Sequence, residues 1–322
     1  MDRRRAPVIL ALLAVLLPLA AACLLLCWPG DISAGQTEDR RIFGATYMTM
    51  NNPYYQVLDE QLRSAVEARG DVLLTRDAVM DQDRQNQEIR DLIQAGAQVI
   101  FLTAVEWDAV RPGLEAAAEA GVPVVVVDAP VRDGELAACS VLSDNYLAGV
   151  LCAQHLLSHR ERANILLLEH ITARSGAERI RGFTDAIAGH EGFAVLGSGQ
   201  SDGQIENAMP VLAALLEEHP EADTVMALND PSALGALAAI QGAGLSERFL
   251  VYGVDGSPEG KTLVQDGLLT ATCAQFPYRI AEEAVRQGYL ALEGGCEQRE
   301  IVVPVKLLTE ENVGRYGTDR WQ

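Results

Sequence analysis

From Ile42 onward the chain alternates short apolar runs with amphipathic segments, and it does so in the same order twice. The first set of runs is IFGATYM, DVLLTRDA, AQVIFLT, VPVVVVDA and CSVLSD. The second is ANILLLE, FAVLGSG, TVMALND, FLVYGVDG and TATCAQF. The near-continuous apolar, β-branched character of VPVVVVD and VIFLT is what a strand buried on both faces requires. Between the runs lie helical patterns that end in glycine, such as VEARGD, DLIQAGA, AAEAGVP and AIQGAGL. A glycine past the last helical turn takes up the left-handed cap without a Cβ penalty. Strand–helix–strand alternation at this spacing predicts an α/β protein with parallel sheets covered by helices on both faces.

The repetition predicts two similar doubly wound, Rossmann-like lobes. IFGATYM through DVLLTRDA has the same order as ANILLLE through FAVLGSG, and AQVIFLT through VPVVVVDA has the same order as TVMALND through FLVYGVDG. At 322 residues the chain has room for about two domains. With 49% hydrophobic and only 5% aromatic residues, the expected core is aliphatic.

The first 28 residues read differently. MDRRR is a basic stretch, and APVILALLAVLLPLAAACLLLCW is uncharged and apolar over roughly 20 residues, enough to span a bilayer as a helix. Two readings stand: a cleaved export signal, or an uncleaved anchor whose arginines stay in the cytoplasm. Ala20–Ala22 offers a small-residue cleavage site, and Ala22-Cys23 resembles a lipoprotein junction with Cys23 as the lipid-bearing residue. Residues 29–40 form a polar, glycine-containing linker. Beyond it Cys139, Cys152, Cys273 and Cys296 show no metal-ligand spacing and read as small core residues, with disulfides open.

A formal net charge of −20 argues against nucleic acid and against anionic membrane surfaces as partners. Ligands of open α/β sheets bind beyond the carboxyl ends of the strands. Those ends carry Asn51 and Asn52, Thr103, Asp128, Ser143–Asn145, Asn229 and Asp230, Asp255 and Gln275. Amides and carboxylates recurring there in both halves suit a polyhydroxylated ligand, and Tyr54 and Tyr55 supply rings to cover its apolar faces. Each Asn or Asp alone is equally a helix N-cap.

At these residues the sequence resembles the periplasmic sugar-binding proteins of the ribose and galactose type, from about Ile42 to Leu308. The motifs that carry the resemblance are NNPYYQVL, VPVVVVDA, SDNYLAGVLCAQHL, ERIRGF, ALNDPSALGALAAIQ, VYGVDGSPEG and ATCAQFPYRIA. The resemblance implies the type I periplasmic-binding fold, two lobes joined by three crossings near 143–144, 275–276 and 304–305. The first lobe is then 41–143 plus 276–303 and the second 144–275 plus 304–322. It implies ligand contacts from Asn52, Tyr54, Tyr55, Asp128, Asn229, Asp255 and Gln275, with no catalysis, cofactor or metal. Two departures stand out. Ala129 and Ala177 occupy positions where the ribose-type pattern has arginines, and their loss leaves space for a bulkier or partly apolar ligand. Arg179 matches a family arginine beside the site that is more often structural. Further candidates are Arg174, His170, Asp202 and Trp107, the last with local packing as its other reading.

The implied function is an exported solute-binding protein that closes on a sugar-like small molecule and delivers it to the permease of an ABC importer. The alternative is a membrane-anchored sensor beside a kinase or chemoreceptor. A repressor of related fold would need a helix-turn-helix before the core, where this chain has an apolar segment. An enzyme would need chemistry that is missing: no HExxH, P-loop or post-strand GxGxxG occurs.

Overall fold

The computed structural model describes residues 40–296 and 298–322. The apolar segment, Cys23 and most of the linker therefore lie outside the described residues. Arg41–Gln322 form one compact unit. Its strands are β1 (Ile42–Tyr47), β2 (Val72–Asp77), β3 (Val99–Leu102), β4 (Val124–Asp128), β5 (Cys139–Ser143), β6 (Ala163–Glu169), β7 (Phe193–Gln200), β8 (Thr224–Ala227), β9 (Leu250–Asp255), β10 (Ala271–Ala274), β11 (Glu300–Val303) and β12 (Lys306–Thr309). The helices between them are α1 (Pro53–Glu67), α2 (Gln82–Gln94), α3 (Arg111–Glu119), α4 (Asn145–His159), α5 (Arg174–Ile187), α6 (Ile205–Glu218), α7 (Asp230–Gly242), α8 (Pro258–Gln265) and α9 (Pro277–Glu293).

Two six-stranded sheets result, in the orders β11-β5-β4-β3-β1-β2 and β12-β10-β9-β8-β6-β7. The orders superpose term by term, so the repeat in the sequence is a repeat in space. The chain passes from the first sheet to the second after Ser143, back after Ala274, and across again after Val303. Every residue of β3, β4, β5, β8 and β10 is buried, as strands covered on both faces must be. Helices α1 and α9 pack together on one face of the first sheet and α2 with α3 on the other; in the second lobe the pairs are α4 with α5 and α6 with α7. Four apolar clusters fill the layers between.

One strand departs from the all-parallel expectation. β12 pairs antiparallel with β10, whereas its counterpart β11 pairs parallel with β5. The reason is the two-residue connection Pro304–Val305. β11 runs toward the cleft beside β5, and the chain carries straight on into the second sheet, so β12 runs away from the cleft.

The α4–α5 pair depends on two glycines. A Cβ on Gly149 would lie 1.8 Å from the Arg179 carbonyl oxygen, and one on Gly182 would lie 2.0 Å from that of Tyr146. Backbone therefore meets backbone, and this fixes where α5 presents Arg179. The four cysteines are free thiols; Cys139, Cys152 and Cys273 are buried and Cys296 is partly so.

Candidate functional site

Each side of the cleft is built from the junction where a strand ends and a helix begins. Asn52 follows β1, and its Oδ1 accepts from the Tyr54 backbone N–H at 2.9 Å, capping α1 ahead of Pro53. Asn229 follows β8 and caps α7 by accepting from Ser232 N at 3.0 Å, while its Nδ2 donates to Gly203 O at 3.0 Å. The capping and ligand-facing readings of these amides are thus compatible, because the cap uses one end of the group. Asp230, also a strand-end candidate, points away: it is buried against Ser257 and Thr272, accepting from both side chains.

All seven principal candidates (Asn52, Tyr54, Tyr55, Asp128, Asn229, Asp255 and Gln275) line one cavity between the lobes, together with His170 and Asp202. The free space enclosed there is small, about 20 Å³, so a solute enters only as the lobes part. Trp107 and Arg174 do not reach the cavity. Trp107 is sandwiched instead between the guanidinium groups of Arg132 at 4.4 Å and Arg174 at 4.9 Å, and Arg174 pairs with Glu178. Their effect is on the cleft's edge: the Trp107 backbone N–H donates to Thr172 O at 3.1 Å, joining the lobes. On another edge Asn51 Nδ2 donates to Gln204 Oε1 at 2.8 Å and to Glu206 Oε1 at 2.9 Å.

Asp128 and Asp255 end the equivalent strands β4 and β9. Both are buried, and both have left-handed backbone, with φ of 70° and 137°. Asp202, with φ of 52°, is a third such residue at the cavity. Non-glycine residues hold such angles only where surroundings over-determine them, and these sites cluster where ligands bind. Asp128 Oδ2 accepts from Tyr55 Oη at 3.3 Å. Asp255 Oδ1 accepts from Gln275 Nε2 at 2.8 Å and lies 3.6 Å from the Arg179 guanidinium. Arg179 is itself buried, donating to Asn145 Oδ1 at 2.8 Å and Leu228 O at 3.0 Å. Arg179 lines the cavity, whereas Ala129, itself buried, and Ala177 do not.

Burial pushes both carboxyls above the ordinary carboxylate value, with the Arg179 charge opposing the rise in each case. Burial likewise lowers the His170 imidazole, with Asp202 opposing, so the ring favours its neutral form. Among the described residues, Asp128 Oδ1, Asp255 Oδ2, Gln275 Oε1 and Tyr54 Oη have no hydrogen-bond partner although buried. Gln275 Oε1 can only accept, and the two carboxyl oxygens accept when ionised. Leaving each unpaired costs about 1–3 kcal/mol. The cavity therefore calls for a solute that brings several donors and no negative charge.

One aromatic contact was not anticipated from the sequence. Trp321 meets the Tyr54 ring edge-on at a centroid distance of 5.7 Å. No periodic pattern surrounds it, so nothing local signalled that this residue returns to the cleft.

The model of the periplasmic binding protein domain matches residues 43–296. The chain belongs to this family. Among similar proteins, the ribose import binding protein RbsB of Escherichia coli is 32% identical over 82% of this chain and 88% of its own length. That of Bacillus subtilis is 30% identical over 88% and 92%. A Mycobacterium smegmatis ABC transporter solute-binding protein, solved with bound glycerol, superposes with a TM-score of 0.83 at 27% identity, covering 88% of this chain and 99% of its own. The Caulobacter myo-inositol binding protein shares the fold, with a TM-score of 0.81 at 23% identity over 85% and 95%. The lobes are those of the type I periplasmic-binding-protein fold.

Proposed function

We propose that this protein captures a neutral polyhydroxylated solute, a sugar or close relative, between its lobes and delivers it to an ABC importer. The observation that carries the reading is the set of three buried, unpaired acceptors contributed by the first lobe (Asp128 Oδ1), the second lobe (Asp255 Oδ2) and the crossing between them (Gln275 Oε1). A polyol supplies a hydroxyl donor to each, while Tyr54 and Tyr55 cover its C–H faces. Without such a solute the closed form leaves these acceptors unsatisfied, so it is disfavoured. A bound solute removes that cost only when both lobes engage it, which couples binding to closure. A carboxylate or phosphate ligand would instead face acceptors and buried acids. The process is binding, with no chemical step.

The relatives named ribose import binding proteins support the importer role. In the same reading residues 1–28 direct export, either as a cleaved signal, with or without lipid on Cys23, or as an uncleaved helix that holds the protein at the membrane. The mass of the mature N-terminal peptide separates those two. The described residues contain no helix long and apolar enough to cross a membrane.

The functional test is a thermal-shift panel on the full chain in a detergent without a sugar headgroup, with D-ribose, D-allose, myo-inositol, glycerol and acidic sugars. A neutral polyol at 100 times its dissociation constant should stabilise the native state by about 2.7 kcal/mol. Stabilisation by acidic sugars alone would overturn the reading.

A further inference from the structure

A second pocket opens beside the polar cavity and shares Asn52, Gly203, Gln204 and Asp255 with it. Its remaining walls differ in kind: Pro53, Ile205, Pro231, Leu234 and Trp321 make them largely apolar. Its volume is about 230 Å³, against about 20 Å³ for the polar cavity. The two spaces meet at Asp255, which is 2% exposed and whose Oδ2 has no partner among the described residues.

The Trp321 wall is a built feature. Lys261, one of two lysines in the chain, is fully buried. Its Nζ donates to Arg320 O at 2.6 Å and to Gln322 Oε1 at 3.0 Å. Gln322 Nε2 in turn donates to Asp255 O at 3.2 Å and to Gln275 O. Gly256, with φ of 66°, leaves the room for this contact, since a Cβ there would lie 2.9 Å from Gln322 Nε2. Residues 320–322 are thus tied to the same two strand ends that offer acceptors to the solute. Burying an ammonium group is costly without such partners. Ile205 stays 46% exposed at the pocket, an apolar surface facing the opening.

We propose that this pocket is a second subsite, which receives a neutral apolar substituent of the solute held in the polar cavity. The preferred ligand is then a glycoside, or another polyol carrying an apolar group, and not a free sugar. Glu206 and Glu259 also line the pocket, so an anionic substituent is disfavoured. This inference rests on the sugar-binding reading above.

The test uses matched free, methyl and phenyl glycosides of ribose, glucose and galactose, titrated calorimetrically into the full chain. For a sugar that binds, the phenyl glycoside should bind about tenfold more tightly than the methyl one, as burial of a ring's apolar area implies. In Trp321→Ala the ratio should fall below about twofold. Ile205→Asn, at a residue that lines this pocket and not the polar cavity, should do the same with methyl glycoside affinity held within about threefold, and serves if the tryptophan variant fails to fold. If free and methyl sugars bind and the phenyl form binds no better, the subsite is overturned and the sugar-binding reading stands. A phenyl preference unchanged in both variants would place it elsewhere and overturn the subsite too. If no sugar in any form binds, both readings fall.

Discussion

Asp128 and Asp255 occupy the same position in the two halves of the molecule, at the ends of β4 and β9, and they are held in opposite ways. Both are buried, left-handed in φ, and left with one unpaired oxygen. Asp128 faces the hydroxyl of Tyr55 and has no cation in contact. Asp255 faces the Arg179 guanidinium and the Gln275 amide. A repeated fold thus supplies the same acceptor twice, and the local neighbours decide its cost. In the first lobe the Arg179 charge acts on the carboxyl from beyond ion-pair distance, and a tyrosine hydroxyl is its direct partner. In the second lobe Arg179 lies within ion-pair distance, yet burial still pushes the carboxyl up to about 8, so it accepts as a carboxylate only once its proton is drawn off.

The largest expected effect comes from removing the compensated acceptor. Asp255→Ala should weaken binding of the best polyol by about a hundredfold or more, read by calorimetry, because a charge-assisted hydrogen bond is lost and Arg179 is left buried without its partner. Gly149→Ala disturbs only the second-lobe side. Its Cβ meets the Arg179 backbone, and the variant should lose about 3 kcal/mol of stability in denaturant unfolding. An unchanged midpoint would mean that α4 and α5 are not as close as described.

The sharpest contrast is between the two isosteric changes. Asp128→Asn should weaken binding by about tenfold to a hundredfold yet raise the melting temperature of the unliganded protein by about 2–4 °C, since it removes a buried carboxyl that no cation contacts directly among the described residues. Asp255→Asn should weaken binding without that gain, because Arg179 loses its charge partner. Equal shifts in the two variants would erase the distinction between the lobes.

The same asymmetry sets the pH dependence. Both carboxyls have native values raised by burial. A raised acid contributes stability that is fully present below its unfolded value and lost as pH rises through the native one. The unliganded protein should therefore lose stability from these groups as pH rises above about 4. A solute that donates hydroxyls to the carboxylates favours their ionised forms. Binding should accordingly release protons and tighten several-fold between about pH 5 and pH 8, with heats that depend on buffer ionisation. Tyr55→Phe gives the smallest effect. It removes one neutral donor from Asp128 and should cost about threefold to tenfold in affinity.

Much of this was legible before any coordinates. The alternation of VPVVVVD-type runs with glycine-ended helices points to doubly wound lobes, and strand-end chemistry picks out residues that share one cavity. What escaped has physical reasons. The direction of β12 depends on a two-residue crossing whose path only the joined lobes define. Trp107 and Arg174 lie near the cleft in sequence terms, but stacking between flat cationic and aromatic groups turns them onto each other. Arg179 reads in the sequence as an arginine beside the site that is more often structural; its burial comes from Gly149 and Gly182, which bring its helix against α4. Trp321 follows a stretch with no periodicity and is placed by Lys261, about 60 residues earlier, a contact no local pattern encodes.

The most direct test of the central claim is a crystal structure of the protein with the neutral polyol that stabilises it best. The account predicts ligand hydroxyls within about 2.5–3.0 Å of Asp128 Oδ1, Asp255 Oδ2 and Gln275 Oε1 at once. A bound solute that leaves these three oxygens unpaired, or that places an anionic group against them, would contradict it.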